Sequence, residues 1–356
     1  MKTEEALEWY FLVEKNIKPA KFMICKSIAL EVKVGELKNM SEEDLWKLHS
    51  KYSIEFKKIL HEIKNSNQSL TKLEEKKCNY LDLKIELSKR LLNPCRVCER
   101  RCMINRYETR GFCNLLHKTY VSSYFLHFGE EPPLIPSGTI FFSGCNFRCV
   151  YCQNWEIRQF SENGFPVDEK KLSIIERKLR ENGAKNINLV GGNPDQHLHT
   201  ILGSLKYLDI NVPILWNSNA YASLETMQLL LDVVDIWLPD FKYGNSECGE
   251  RLSSVKNYFE IVSRNIKMMY ENKDALIIRH LVLPNHLECC TFKVLKWISE
   301  NCKTSLVNVM KQYRPEYLVA KNPFKFPEIS RRLKKEEIEK AYSFAKELQL
   351  NFEEVS

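Results

Sequence analysis

Three cysteines near the middle of the chain have the spacing of a metal-binding loop. Cys145, Cys149 and Cys152 form a C-x3-C-x2-C pattern, and the next cysteine downstream is Cys248. Three thiolates can bind three irons of a 4Fe–4S cluster, which leaves the fourth iron free to bind a small molecule. This ligand set favours chemistry at the cluster over simple electron storage.

Other kinds of site fit this pattern less well. A structural zinc site is normally completed by four Cys or His ligands, and no fourth ligand follows locally. A ferredoxin-type cluster would have C-x2-C-x2-C and a further Cys-Pro, which the segment lacks. The spacing therefore predicts a three-cysteine 4Fe–4S site.

A second cysteine group lies upstream in a basic segment. It consists of Cys95, Cys98, Cys102 and Cys113. Four thiolates can complete either a structural zinc site or an auxiliary 4Fe–4S cluster, and ligand softness does not choose between them. We predict a second metal site here and leave the metal open; a group of buried reduced thiols is the alternative.

The composition is consistent with a globular cytoplasmic protein. The 356 residues are 44% hydrophobic and 28% charged, and no run approaches the ~20 apolar residues of a membrane span. The N-terminus lacks the basic start and apolar core of a signal peptide, so the seven cysteines clustered between Cys95 and Cys152 are expected to bind metal rather than form disulfides. The net charge of +7 permits an acidic protein or RNA as a partner.

Short apolar runs alternate with amphipathic segments from residue 137 onward, which is typical of a parallel sheet covered by helices. The alternation predicts an α/β fold, an open, partial (β/α)6 barrel of the TIM type with an N-terminal helical extension. The six runs are Thr139–Ser143, Asn186–Val190, Pro213–Asn217, Val233–Leu238, Ala275–Leu283 and Ser305–Met310.

Four regions follow from these patterns. We predict a helical accessory region over residues 1–93, a cysteine-rich segment over 94–136, the barrel over 137–320, and a C-terminal helical tail over 321–356. The tail begins its helix near the charged run that starts at Arg331.

Polar motifs follow the apolar runs. Functional residues of parallel folds lie at the carboxyl ends of the strands, so motifs that follow separate strands are expected to meet there. They are Gly191-Gly192-Asn193-Pro194, Asn217-Ser218-Asn219 and Asp240-Phe241-Lys242, while Arg279 lies within the fifth run.

The order of these motifs resembles the radical S-adenosylmethionine (SAM) superfamily, and in particular the PflX-like branch related to pyruvate formate-lyase activating enzymes. The resemblance covers residues 94–320. It implies that Cys145, Cys149 and Cys152 bind the cluster, whose open iron chelates SAM, and that Tyr151 lies against the adenine. The turn Gly191, Gly192, Asn193, Pro194 would meet the SAM amino group through backbone carbonyls.

The same resemblance assigns the remaining motif residues to the SAM pocket. Those around the methionine end, the ribose or a nearby cation would be Asn217, Ser218, Asp240 and Lys242. Arg279 would bind the SAM carboxylate or ribose. The family usually has acids where this chain has Asn193 and Asn217. An amide oxygen accepts hydrogen bonds but carries no charge, which argues against a bound cation.

The resemblance implies an oxidoreductase that reductively cleaves SAM to a 5′-deoxyadenosyl radical, with a ferredoxin or flavodoxin as electron donor. The cofactors supply this chemistry, so no catalytic acid or base is predicted. The expected substrate is a partner protein, activated by installing a glycyl radical. The alternatives are modification of RNA or a small molecule, and a non-catalytic iron–sulfur or zinc carrier or scaffold.

Overall fold

Nine strands form one sheet in the part of the chain that the computed structural model describes, residues 3–66, 73–129 and 131–353. They are β1 (Thr119–His127), β2 (Ser137–Phe142), β3 (Phe165–Val167), β4 (Ile187–Gly191), β5 (Ile214–Ser218), β6 (Ile236–Pro239), β7 (Ala275–Leu281), β8 (Leu306–Met310) and β9 (Asn351–Glu353). Their order is β3-β1-β2-β4-β5-β6-β7-β8-β9. Neighbours from β2 to β9 are parallel, whereas β1 pairs antiparallel with β2 and β3.

Helices precede the sheet and connect its strands. They are α1 (Thr3–Ala6), α2 (Glu8–Glu14), α3 (Lys21–Ser27), α4 (Val34–Leu37), α5 (Glu42–Asn65), α6 (Tyr80–Arg90), α7 (Trp155–Gln159), α8 (Glu169–Glu181), α9 (Leu198–Tyr207), α10 (Leu224–Leu231), α11 (Ser246–Ser253), α12 (Tyr258–Glu271), α13 (Phe292–Asn301), α14 (Tyr317–Lys321) and α15 (Lys335–Glu347). A helix that could cross a bilayer is not found in the described ranges.

The predicted α/β class is confirmed. Each of the six apolar runs overlaps one of the parallel strands β2, β4, β5, β6, β7 and β8, and helices lie between them. The sequence did not predict β1, β3 or β9. The side chains of β1 alternate only partly between buried and exposed, and β3 and β9 are three residues long, too short to give a periodic signal. Because β9 pairs with β8, the segment 321–356 adds a strand as well as a helix.

The N-terminal helices close the barrel at the amino ends of its strands. Leu7 and Tyr10 pack against an apolar layer of strand residues on the same sheet face. That layer consists of Leu215, Ile236, Leu238, Ala275 and Ile277. Burying this layer stabilises the fold because an open barrel end would expose it to water.

Hydrogen bonds attach the same N-terminal region to the loop before β6. The buried carboxylate of Asp235 accepts from Trp9 Nε1 at 2.9 Å, from the Lys21 backbone N–H at 3.0 Å and from the Ile214 N–H at 2.9 Å. A buried carboxylate is tolerated when several donors satisfy it. The helical region therefore shares its core and its buried polar contacts with the barrel.

One buried acid couples the packing of α8 and α9 to pH. Glu176 on α8 is fully buried and accepts one hydrogen bond, from Ser204 Oγ on α9 at 2.8 Å. Burial raises the pKa of Glu176 to about 8. Between its ordinary pKa and this value the folded protein keeps a proton that the unfolded chain releases. Across this range Glu176 should therefore contribute a fall of about 1.4 kcal/mol per pH unit in the free energy of unfolding as the pH rises.

We expect Glu176→Gln to remove this slope, because the amide does not titrate. Urea unfolding at several pH values from 5 to 8 would measure it, with Glu181→Gln, an exposed acid on the same helix, as the control. Equal slopes in the wild type and Glu176→Gln would contradict the prediction.

Candidate functional site

The cysteine loop begins at the carboxyl end of β2. Gly144 has φ +78°, a left-handed conformation in which the chain turns out of the strand. Behind the turn, His197 is buried, and its Nε2 lies 2.8 Å from the Ser143 carbonyl, to which it donates. Burial lowers the pKa of His197 to about 3, so the neutral ring fixes the end of β2 rather than facing the cavity.

The sulfurs of the loop lie among hydrogen-bond donors at the edge of a cavity. The Phe147 N–H is 3.3 Å from Cys145 Sγ, Asn219 Nδ2 is 3.8 Å from the same sulfur, and Ser253 Oγ is 3.0 Å from Cys149 Sγ. Burial raises the pKa of Cys145 to about 12, and a bound metal would deprotonate such a thiol. Three sulfurs facing one cavity, with donors to stabilise thiolate charge, fit an iron–sulfur cluster.

The Gly191-Gly192 turn approaches the cysteine loop so closely that a side chain would not fit. A Cβ on Gly192 would lie 1.9 Å from the Gly144 carbonyl oxygen, and one on Gly191 would lie 2.3 Å from backbone atoms of Phe142. Gly191 also has φ +110°. Because the Gly192 N–H donates to the Phe142 carbonyl at 2.7 Å, the ends of β2 and β4 hold the two loops together.

The two residues after this turn have structural partners. Asn193 Oδ1 accepts the Asn219 N–H at 3.1 Å, and Asn193 Nδ2 donates to Gln196 Oε1 at 3.2 Å. The Asn193 amide therefore ties the ends of β4 and β5 together. Pro194 begins a short 3-10 turn and is buried; it does not line the cavity, although the other residues of the turn do.

A charged network crosses the ends of β5, β6 and β7. Asp240 accepts from Lys242 Nζ at 2.6 Å and from Arg279 Nε at 2.9 Å, while Arg279 also donates to Asn217 Oδ1 at 2.7 Å. Burial alone would raise the pKa of Asp240, but Arg279 and Lys242 outweigh it and hold this pKa below the ordinary value. Two cations facing one carboxylate give this wall a net positive charge.

A row of hydroxyl groups leads from Tyr151 to the sulfur of Cys149. The Tyr151 and Tyr243 oxygens are 2.7 Å apart, Tyr243 lies 2.6 Å from Ser253 Oγ, and Ser253 reaches Cys149 Sγ. If Ser253 donates to the sulfur, each preceding hydroxyl donates to the next, so the row points its dipoles toward Cys149. Tyr151 also packs edge-on against Tyr313.

These elements enclose one cavity of about 360 Å³ at the carboxyl ends of the strands. Apart from Pro194, the predicted cluster and cofactor residues line it. They are Cys145, Cys149, Tyr151, Cys152, Gly191, Gly192, Asn193, Asn217, Ser218, Asp240, Lys242 and Arg279. The arrangement brings the cysteine loop, the glycine turn and a cationic wall within reach of one small molecule.

The second cysteine group packs behind the same loop. Cys95, Cys98 and Cys113 are buried and Cys102 is half-buried. The Met103 N–H donates to the Cys95 carbonyl at 3.1 Å, so the chain around Cys102 lies against the chain around Cys95. No three of these sulfurs lie within 4.8 Å of one another in the described structure. The Arg100 side chain donates to the Asn146 carbonyl at 2.8 Å, which links this segment to the cysteine loop.

Three contributors to the site were not predicted from the sequence. Asn219 was noticed only as part of a polar triplet, and Tyr243 and Ser253 were not assigned a role. Asn219 directly follows two predicted residues, and Tyr243 follows Lys242. Their position just after a predicted strand is the sequence signal that could have assigned both residues to the site. Ser253 ends α11, and nothing local in the sequence indicates that it reaches Cys149.

The fold and this cavity define an α/β protein with a three-cysteine cluster loop at the carboxyl ends of its parallel strands. A family model described as the radical SAM superfamily matches residues 139–298. Those residues include the cysteine loop, the glycine turn and the Asp240–Arg279 network. Residues 139–298 therefore form a radical SAM superfamily domain.

Two proteins of Methanocaldococcus jannaschii are similar to this chain. Uncharacterized protein MJ0674 is 46% identical over 348 residues, which cover 96% of this chain and 97% of that protein. Uncharacterized protein MJ0808 is 32% identical over 108 residues, which cover 25% of this chain and 31% of that protein. Among solved structures, Streptococcus suis SuiB bound to S-adenosylmethionine aligns with a TM-score of 0.44 and 16% identity over 59% of this chain, and the chain spans just under half (47%) of SuiB.

Proposed function

We propose that this protein is an enzyme that binds a 4Fe–4S cluster and SAM in the cavity and reductively cleaves SAM to a 5′-deoxyadenosyl radical. The convergence of the cysteine loop, the glycine turn and the Asp240–Arg279 network on one cavity carries the proposal. When bound, the cluster supplies the electron for breaking a carbon–sulfur bond of SAM. The protein supplies binding, orientation and exclusion of water.

Different residues of the cavity would bind the cluster and the separate parts of SAM. Cys145, Cys149 and Cys152 would bind three irons, and the backbone carbonyls of the glycine turn would face the SAM amino group. The net positive wall of Arg279 and Lys242 around Asp240 suits the SAM carboxylate. The oxygens of Asn193 and Asn217 already accept hydrogen bonds from the protein, which supports the expectation that no cation is bound there. Tyr151 would lie along the adenine.

For the substrate we propose a partner protein, activated in the manner of the pyruvate formate-lyase activating enzymes, with the chain in the PflX-like branch. This step rests on analogy with a family and not on the site. We also propose a cytoplasmic location and a ferredoxin or flavodoxin as the electron donor, on the same grounds.

Modification of RNA is less well supported, because three arginines in or next to the basic segment from Cys95 to Cys113 have partners within the protein. Arg96 pairs with Glu42 at 2.7 Å, and Arg101 pairs with Glu225 at 2.9 Å. Arg110 likewise pairs with Glu162 at 2.5 Å. Arginines engaged in this way are poorly placed to neutralise phosphates. Nucleic acid that copurified with the protein would favour RNA.

We further propose that Cys95, Cys98, Cys102 and Cys113 bind a metal. Burial and the contact with the cysteine loop support a role in anchoring that loop or in relaying electrons to it. Zinc and an auxiliary 4Fe–4S cluster are both open.

Anaerobic reconstitution with iron and sulfide, followed by reduction in the presence of excess SAM, tests the main proposal. We expect 5′-deoxyadenosine, measured by chromatography. A protein that holds a reduced cluster and fails to bind SAM would overturn the proposal and favour the carrier or scaffold. A protein that binds SAM without forming product would indicate that the substrate must bind first.

The glycine turn gives a prediction about SAM affinity. We expect Gly192→Ala to weaken SAM binding by about 100-fold, because its Cβ would force the turn away from the Gly144 carbonyl by an ångström or more. Calorimetric titration of the reconstituted protein would measure the dissociation constant.

The matched control is Gly35→Ala on α4, where the added Cβ has no atom within 4 Å. We expect it to bind SAM as the wild type does. Wild-type affinity in Gly192→Ala, in a protein with its full iron content, would contradict the assignment of this turn to SAM.

A further inference from the structure

Four residues outside the cofactor cavity form a compact group of metal-binding side chains. Cys248 lies in the first turn of α11, and His286, Cys289 and Cys290 lie at the turn between β7 and α13. The ligand atoms of Cys248, His286 and Cys289 all lie within 4.8 Å of one another, and these three are the only such set of His, Cys, Asp or Glu in the described residues. Nothing in the sequence indicates that Cys248 lies beside the Cys289-Cys290 pair, which is about 40 residues further along the chain.

The spacing of the sulfurs suits one tetrahedral ion. Zinc–sulfur bonds of about 2.3 Å place two thiolates about 3.8 Å apart around a tetrahedral centre. Cys289 Sγ and Cys290 Sγ are 3.9 Å apart. Cys290 is buried, and the Cys248 side chain hydrogen-bonds with it, so a fourth sulfur is available beside the three mutually close ligands.

The turn after β7 places its three ligands on one side. His286, Cys289 and Cys290 are related by the i, i+3 and i+4 spacing of a helical face. The segment Leu287–Thr291 is a π-helical turn, in which the Thr291 N–H reaches the His286 carbonyl at 3.1 Å. Such turns often occur at functional sites.

The histidine ring is held in the form that a metal requires. His286 Nδ1 lies 2.7 Å from the Pro284 carbonyl, and a carbonyl only accepts, so Nδ1 carries the proton. An arginine guanidinium only donates, so Nε2, which lies 3.2 Å from an Arg251 nitrogen, is the acceptor. A metal-binding histidine usually donates its other N–H to such a carbonyl, and Arg251 retains Glu328 as a partner when it is displaced.

The surroundings fix the ligands and leave an entry path. Asn245 Nδ2 donates to the Cys289 carbonyl at 2.8 Å, and Asn245 Oδ1 accepts the Cys248 N–H at 2.7 Å. Asn245 therefore joins the two segments that carry the ligands. His286 is buried and Cys289 is half-buried, so an ion would enter at Cys289.

We propose that Cys248, His286 and Cys289 bind a single zinc ion, with Cys290 as the fourth ligand. The site joins the start of α11 to the turn after β7. The other end of α11, about 7.5 Å along its axis, carries Ser253, which contacts Cys149. The ion thus holds the helix that supports one wall of the cofactor cavity. The proposal does not depend on SAM cleavage.

Zinc content of the full-length protein tests this site. After anaerobic loading with zinc and desalting, we expect Cys248→Ser and His286→Ala each to contain about one zinc ion per chain less than the wild type. Cobalt loading should give thiolate-to-cobalt absorption that the same two variants lose. The matched control is Cys302→Ser, which replaces a buried cysteine elsewhere and should retain the metal.

Two further variants separate this site from the others. Cys145→Ala should keep this zinc, because it affects only the cluster loop, and any zinc lost in Cys98→Ser belongs to the second cysteine group. Circular dichroism identifies a variant that fails to fold, in which case Cys289→Ser replaces it. The proposal would be overturned if folded Cys248→Ser and His286→Ala contained as much zinc as the wild type. It would also be overturned if these variants lost iron and kept their zinc.

Discussion

Replacing Cys145 with alanine is expected to abolish 5′-deoxyadenosine formation and to remove about four iron atoms per chain. The Cys145 sulfur lies at the cavity edge and receives hydrogen bonds from the Phe147 N–H and Asn219 Nδ2. With two thiolates left, the cluster loses a ligand and those donors lose their acceptor. Iron analysis and visible absorption measure the loss of the cluster, and chromatography of the reduced protein with SAM measures the loss of product.

The matched control for Cys145→Ala is Cys302→Ala, because both thiols are buried and only Cys145 lines the cavity. We expect Cys302→Ala to keep its iron and to form product. If Cys145→Ala formed product at the wild-type rate, the cysteine loop would not be the cluster site and the proposed function would be wrong.

Replacing Asp232 with alanine is expected to lower the free energy of unfolding by about 3–5 kcal/mol. Asp232 lies just after α10 and pairs at 3.2 Å with Lys84 of α6, and both side chains are almost completely buried. It also accepts the Tyr80 hydroxyl at 2.7 Å. Removing the carboxylate leaves the Lys84 ammonium buried beside His49 and Tyr80 without a counter-charge. Urea unfolding at pH 7 measures the loss.

Two further variants show whether burial is the cause. Asp209→Ala breaks an ion pair with Arg177 in which the Asp209 side chain is 68% exposed. This variant should lower the free energy of unfolding by no more than about 1 kcal/mol. Lys84→Met combined with Asp232→Leu should cost less than Asp232→Ala alone, because no charge is left unpaired. An equal loss in Asp209→Ala and Asp232→Ala would contradict this explanation.

The Lys84–Asp232 pair also bears on residues 1–93, whose role the sequence did not indicate. Lys84 on α6 pairs with Asp232 and Trp9 on α2 donates to Asp235, and both acids lie between α10 and β6. Leu7 and Tyr10 fill the amino end of the barrel. The division at residue 93 remains a prediction, but the two regions are expected to unfold together because they share buried charges.

Much of the candidate site could be proposed from the sequence because its signals are local. The spacing of Cys145, Cys149 and Cys152 is a property of a single loop. The motifs at Gly191, Asn217 and Asp240 each follow an apolar run, and the rule that parallel strands end at one face brings them together. What the sequence did not indicate is which polar side chains have partners inside the protein, since Asn193 Oδ1 accepts the Asn219 N–H and Arg96 pairs with Glu42.

The α/β class, six of the parallel strands and the superfamily of the central domain could be predicted from the sequence, because hydrophobic periodicity and ligand spacing are properties of short segments. Only the tertiary structure brought Cys248 to His286 and Cys289, Ser253 to Cys149, and Tyr10 to the end of the barrel. Those contacts join segments that lie far apart in the chain. They depend on how helices pack across the sheet, which no local pattern of residues encodes.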